Sequence, residues 1–250
     1  MKKLLLIISI ALFATYPSTL SAEIYKNLIP QENISEYIVH HDFYSLGYDE
    51  ETEQAAWVMY EYTKEEANTP RVQRKDRFRP DPAIPTRSAN LRDYKKSGFD
   101  RGHLAPAADM AFCTQAMRDS FFMSNMSPQQ PKFNRGVWKK LEATVRRWAE
   151  HDTVIIITAG VLHGDQFIGR NKVLVPDAYY KIVYIPSQNK AIGFLLPNEG
   201  SKKKLHSFAV SIDAIEATTG IDFFSALEDS QENALESQCD IQSWEWGRSR

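Results

Sequence analysis

Cysteine is scarce in this sequence: 250 residues hold two, Cys113 and Cys239. Two cysteines without paired histidines nearby make no zinc pattern. They leave either one disulfide, tying the C-terminal tail to the segment around residue 113, or two buried thiols. A bridge closing so long a loop would contribute about 4–5 kcal/mol in the chain-entropy picture. Long apolar runs are equally scarce, and none beyond the N-terminus is long enough for a membrane helix. Excess positive charge is also missing, since the formal net charge is −2. A mildly acidic chain is no general polyanion binder, so any anion site must be built from local charge. No internal repeat and no linker divides the chain.

What is present begins at the N-terminus. Met1-Lys2-Lys3 leads into the apolar stretch 4–14, and Ser21-Ala22 supplies small residues before a cleavage point. This pattern predicts a secretory signal peptide over residues 1–22. The absence of cysteine at that point argues against a bacterial lipid anchor. Removing it leaves 228 residues with charge −4, within the size of one large domain, 23–250. The product is expected to be exported, either secreted or periplasmic. Charge is distributed unevenly: residues 71–103 carry ten Lys or Arg against four Asp, a net of +6.

Periodicity predicts an α+β domain with a mixed or antiparallel sheet. Strands are expected at 44–48 and 56–63, joined by the turn at 49–52, and at 153–160, 173–176, 179–186 and 190–197. Residues 65–96, with prolines at 70, 80, 82 and 85, read as a long loop of the kind that often carries function. Thr114 is expected to cap a short helix through 116–121. Residues 134–150 form the clearest helix, with Phe133, Val137, Leu141, Val145 and Trp148 at helical spacing. Another helix is expected at 207–219, stopped by Gly220. Trp244 and Trp246 imply that the acidic tail packs in part. His40 and His41 are adjacent and would point to opposite faces of a strand, so they are read as structural.

The chemistry concentrates in Asp100-Arg101-Gly102-His103. Histidine is the side chain suited to exchanging protons near neutral pH. Arg101 offers a fork of donors matched to phosphate oxygens. Gly102 permits a tight turn or a close approach. A base, an anion clamp and a permissive residue together suggest phosphoryl chemistry. Taken alone, the tetrapeptide reads sooner as a surface loop with a salt-bridged Asp–Arg pair and an idle histidine than as a site.

Further segments remove that ambiguity. Asp100-Arg101-Gly102-His103 resembles the signature of the DNA/RNA non-specific endonucleases. So do Ser124-Asn125-Met126-Ser127-Pro128-Gln129, the stretch 133–142 with Asn134, Trp138, Leu141 and Glu142, Tyr179-Tyr180-Lys181, and residues 215–224. The resemblance spans roughly residues 44–224, with its motifs in the family's order. It implies a ββα-metal fold, in which a hairpin presents the histidine and the next helix presents a metal ligand. It also implies one divalent cation, usually Mg²⁺ (Mn²⁺ or another divalent ion as substitute).

Carried over, the resemblance makes His103 the general base, Asn134 the direct metal ligand and Arg101 a stabiliser of charge on phosphorus. Glu142 would act on the ion through water. On a regular helix Asn134 and Glu142 stand about 12 Å and about 80° apart, so both could not touch one ion. The family has a second upstream arginine; Arg74, Arg77 and Arg79 are candidates, and Arg77 fits best by its position before Asp81-Pro82. The expected activity is hydrolysis of phosphodiester bonds in DNA and RNA with little sequence preference, leaving 5′-phosphate and 3′-hydroxyl ends. Two alternatives stay open: a non-catalytic nucleic-acid-binding or DNA-uptake protein on the same fold, and an enzyme acting on another phosphodiester. Asp100 is expected to fix local geometry or to pair with a nearby basic group.

Overall fold

Residues Val154–Gly160 are buried at every position, and so are all but the first of Ala178–Ile185. A strand buried on both faces needs cover on both sides, and that requirement sets the architecture. The structure is a computed structural model that describes residues 28–30 and 37–247. The expected signal peptide lies outside the described residues.

The strands are β1 (Tyr37–His40), β2 (Ser45–Asp49), β3 (Gln54–Tyr62), β4 (Asp100–His103), β5 (Met126–Gln129), β6 (Val154–Gly160), β7 (Phe167–Ile168), β8 (Val173–Leu174), β9 (Ala178–Ile185), β10 (Lys190–Pro197) and β11 (Ala209–Val210). Seven of them form one sheet in the order β1-β2-β3-β6-β9-β10-β11, antiparallel at every pairing. β4 pairs with β5, and β7 with β8, as separate antiparallel ribbons. The helices are α1 (Lys64–Asn68), α2 (Leu91–Tyr94), α3 (Thr114–Asp119), α4 (Lys139–Ala149), α5 (Ile212–Thr219) and α6 (Asp229–Glu236).

Period-two alternation along β9 shows which layer covers which face. Tyr179 packs against Phe133 (ring centroids 5.1 Å) and Trp138 (5.7 Å), at the start of the long helix. Its neighbour Tyr180 meets Phe223 at 5.5 Å on the opposite face. β10 repeats the pattern: Phe194 faces Trp148 of α4, while Gly193 lies against Ile215 of α5. The sheet is thus sandwiched between α4 and the α5–α6 layer. The tail joins the α4 side, where Trp244 sits 4.4 Å from Trp148 and the Trp148 indole N–H donates to the Glu245 carbonyl at 2.8 Å.

Several boundaries differ from the sequence expectations for local reasons. The expected helix at 134–150 divides in two: a wide π-type turn over Phe133–Trp138 with non-helical Gly136 (φ −110°, ψ −108°), then regular α4. The helix expected from 207 starts at 212, because the Ser211 side chain caps it through the Ala214 N–H and Val210 pairs with Gly193 of β10. α3 is capped by the Cys113 sulfur, which accepts from the Ala116 N–H, rather than by Thr114. Cys113 and Cys239 are free thiols, one half-buried and one exposed, so neither the disulfide nor the pair of buried thiols forms. The long loop at 65–96 contains α1 and the single turn α2, both with capping boxes, started by Thr63 and Asn90. Among the described residues no helix is long and apolar enough to cross a membrane.

Candidate active site

The β4–β5 ribbon carries the histidine, and its sequence explains its shape. Gly102 stands opposite Ser127 with the buried Gln129 side chain packed over it; a Cβ at position 102 would lie 2.1 Å from Gln129 Cδ. The glycine is therefore required by a close approach within a strand, where the sequence also allowed a turn. β5 is locked to the main sheet: the Tyr179 hydroxyl donates to the Pro128 carbonyl at 2.9 Å, and the Asn198 amide donates to it at 3.1 Å. Asn125 fixes the exit from β4, taking the Ala105 N–H at 2.8 Å and donating to the carbonyls of Ala105 and Ser120.

His103 stands in an aromatic corner. Its ring meets Phe121 edge-on at 4.8 Å and Phe78 at 5.8 Å. The same two rings seat two cations: the Arg101 guanidinium lies 4.1 Å over Phe78, and that of Arg74 lies 5.4 Å over Phe121. Burial pushes the His103 imidazole down to about 3, Arg74 and Arg101 adding to the effect and Asp76 opposing it. His103 Nε2 is buried without a hydrogen-bond partner in the protein. A neutral imidazole with an unused nitrogen is chemically able to accept a proton.

Asp100 and Asn134 join the ribbon to the turn before α4. Asp100 receives Arg135 through two bonds, Nε to Oδ2 at 2.8 Å and an NH2 nitrogen to Oδ1 at 2.5 Å. The Asn134 amide nitrogen donates to Asp100 Oδ2 at 3.0 Å, which leaves the amide oxygen as the end free for a cation. Asp100 is thus a positioning group paired with a basic neighbour, as expected. Because Gly136 interrupts the helix, the regular spacing between Asn134 and Glu142 does not apply, and both residues line one cleft of about 540 Å³. Arg74, Arg101, His103, Lys139 and Arg146 line it with them.

Arg77 is the expected residue that the structure does not bring there. It lines a different pocket with Val72, Lys75 and Arg118. Arg79 is also committed elsewhere, to Asp119 at 3.0 Å and to the face of Phe122 at 4.0 Å. Of the three upstream candidates, Arg74 alone reaches the cleft. The reason is the anchoring of the loop: Asp81 accepts from Ser124 Oγ at 2.5 Å and lies 2.9 Å from His41 Nε2, so the chain is pinned after Arg79.

The chain also matches known proteins. The sequence profile described as DNA/RNA non-specific endonuclease matches residues 20–230. The chain belongs to that family. A mitochondrial nuclease of Saccharomyces cerevisiae is 34% identical over 223 residues, covering 78% of this chain and 68% of that protein. The human mitochondrial nuclease EXOG is 32% identical, covering 74% of this chain, which spans 56% of the human protein's length. A nuclease of Nostoc is 30% identical over 218 residues, with coverages of 82% and 79%. Among solved structures, one described as an EndoG/EndoGI complex superimposes with a TM-score of 0.77 at 29% identity, covering 87% of this chain and 96% of the other. β4, β5 and the helical segment 133–149 form the ββα-metal unit of this family.

The donors fit the divalent cation that such a unit implies. Asn134 offers an amide oxygen and Glu142 a carboxylate, both hard ligands, at the cleft. Among the described residues no three His, Cys, Asp or Glu ligand atoms gather there, so the donor set suits an ion that keeps several waters. Glu142 is pushed above the ordinary carboxylate range by burial; Lys181 lowers it and Asp109 raises it further. Lys181, buried with its ammonium 4.9 Å from the Trp138 ring, is lowered by burial and raised by Glu142.

Sequence reasoning missed Arg74's precedence and the whole of the Arg146 arrangement. Arg146 lies one helical turn after Glu142, donates to Asp109 at 2.7 Å and faces the cleft; Asp109 also accepts from the Tyr60 hydroxyl at 2.7 Å. The i, i+4 spacing from Glu142 was the available signal.

Proposed function

We propose that this family member is a divalent-metal-dependent nuclease that hydrolyses phosphodiester bonds of DNA and RNA with little sequence preference. The observation that carries this reading is the juxtaposition in one cleft of an unpaired, neutral His103 Nε2 with Asn134, Glu142 and four arginines. In the reaction, His103 Nε2 takes a proton from a water whose oxygen bonds to phosphorus. The bond from phosphorus to the 3′ oxygen breaks, and that oxygen takes a proton from solvent to leave as a 3′-hydroxyl, the phosphate staying on the 5′ side. Arg101, Arg74 and Arg146 supply donors for the phosphate oxygens as charge builds up. Asn134, with Glu142 acting through water, would hold the cation, for which Mg²⁺ or Mn²⁺ is the natural choice. When bound, the cation supplies Lewis-acid polarisation of the phosphate.

The names of the relatives and the oxygen-donor cleft support this assignment over hydrolysis of a small phosphodiester, because an open groove lined by cations accommodates a polymer. The N-terminal segment 1–22 supports export. The deciding experiment incubates the purified chain with plasmid DNA and with RNA, under Mg²⁺, Mn²⁺ or EDTA. Cleavage of both polymers with either metal and none with EDTA is expected, with Asn134→Ala losing most metal-dependent turnover. Salt-sensitive binding with both polymers left intact under every divalent ion would instead identify a binding protein. Terminal sequencing of the exported product should begin at Glu23.

A further inference from the structure

Five carboxylates converge in the α5–α6 layer, on the sheet face away from α4. Asp213 and Glu216 are three residues apart on α5, and Glu232 and Glu236 are four apart on α6, so each pair shares a helix face. Gly220, in the left-handed conformation (φ 73°), ends α5 and turns the chain so that Asp222 follows at once. The Phe223 N–H then donates to Glu216 Oε1 at 2.8 Å and fixes that side chain. One oxygen from each of Asp213, Glu216 and Glu236 lies within 4.8 Å of the others, and so does one from each of Asp222, Glu232 and Glu236.

Glu236 is common to both sets and is the decisive residue. It is only 6% exposed, its Oε1 is buried with no hydrogen-bond donor, and its carboxyl lies within hydrogen-bonding reach of that of Glu216. Among the described residues no ion pair with Lys, Arg or His reaches any of the five. Like charges at these spacings destabilise both helices unless something positive lies between them.

We propose that Asp213, Glu216, Asp222, Glu232 and Glu236 form a binding site for a hard divalent cation of calcium size, separate from the cleft and holding α5 to α6. Calcium accepts 6–8 oxygens at 2.3–2.6 Å in loose geometry, with carboxylates in one- or two-oxygen contact, which suits donors from two helices and a turn. Magnesium needs a tighter octahedron and prefers water, as at the cleft.

The test uses the full chain carrying Asn134→Ala, so that binding at the cleft is not what is read, and follows calorimetry and thermal unfolding against CaCl₂. One calcium per chain is expected, with the melting temperature rising on the order of 5 °C at a hundredfold excess over Kd. Glu236→Gln and Asp222→Asn, each added to that chain, should weaken binding at least tenfold and abolish the shift. Asp222 is exposed, so its variant tests the site even if Glu236→Gln fails to fold. The proposal is overturned if calcium gives no shift in the Asn134→Ala chain, or if the shift survives both added substitutions.

Discussion

At the scale of single residues, the site depends on how His103 is kept neutral. Its place among Phe78, Phe121, Arg74 and Arg101 lowers its proton affinity from 6.5 to about 3. The folded chain thus refuses a proton that the unfolded chain accepts below pH 6.5. Stability attached to this residue is complete above pH 6.5 and is lost as pH falls toward 3, with a slope of up to about 1.4 kcal/mol per pH unit. Chemical denaturation followed across pH 3–7 should show that slope, and His103→Phe should flatten it. The acid limb of kcat/KM on plasmid should likewise lie well below pH 6.5, because folded His103 stays unprotonated down to about pH 3. His103→Ala should lower kcat by roughly 10²–10⁴ while plasmid binding persists.

The arginines separate at the same scale. Arg74→Ala should slow cleavage by about tenfold or more, whereas Arg77→Ala should leave kcat within about twofold. Steady-state kinetics on one DNA substrate distinguishes them. Arg79→Ala should instead lower the melting temperature, since Arg79 ties its loop to Asp119 and Phe122. His103, Arg101, Asn134 and Glu142 were legible because side-chain chemistry and motif order point to them directly. Arg74 was not, because a loop without periodicity gives no direction to its side chains; the Asp81 anchor that sets them spans 40 residues to His41 and 43 to Ser124.

At the scale of elements, the β4–β5 ribbon leaves no room for a side chain at position 102. Gly102→Ala should cost about 1–3 kcal/mol, because the buried Gln129 side chain must move. Combining it with Gln129→Ala should cost less than the sum of the two, a coupling that a double-mutant cycle in urea can measure. Strand positions were largely readable, since β6, β9 and β10 are apolar and β-branched enough to declare themselves. The break at Gly136 was not, because hydrophobic spacing from Phe133 to Trp148 continues across it and conceals the wide turn. Val210 misled in the opposite sense: it sits at helical spacing but pairs with β10.

At the scale of the whole molecule, the chain carries net −2 while residues 71–103 carry +6. A polyanion should therefore meet an attractive cleft on an otherwise repelling body. Raising salt from about 50 to about 200 mM should increase KM for DNA steeply, with little change in kcat, because released counterions oppose binding rather than chemistry. A KM that ignores salt would mean that the basic stretch does not approach the substrate. The α+β class followed from the alternation of strand and helix patterns, and the motif order gave the ββα unit. The packing of the Trp244 tail onto α4 was visible only as two tryptophans in an acidic segment.

The wide turn at 133–138 has a consequence for how such a chain could change over generations. Asn134, the residue proposed to meet the cation, sits on an irregular stretch, while Glu142 and Arg146 sit on the regular helix beyond Gly136. Inherited variation in the turn can therefore retune ion preference without disturbing the register of α4 against the sheet. Selection can act on the direct ion contact apart from the groups of α4 that reach the ion through water or handle phosphate.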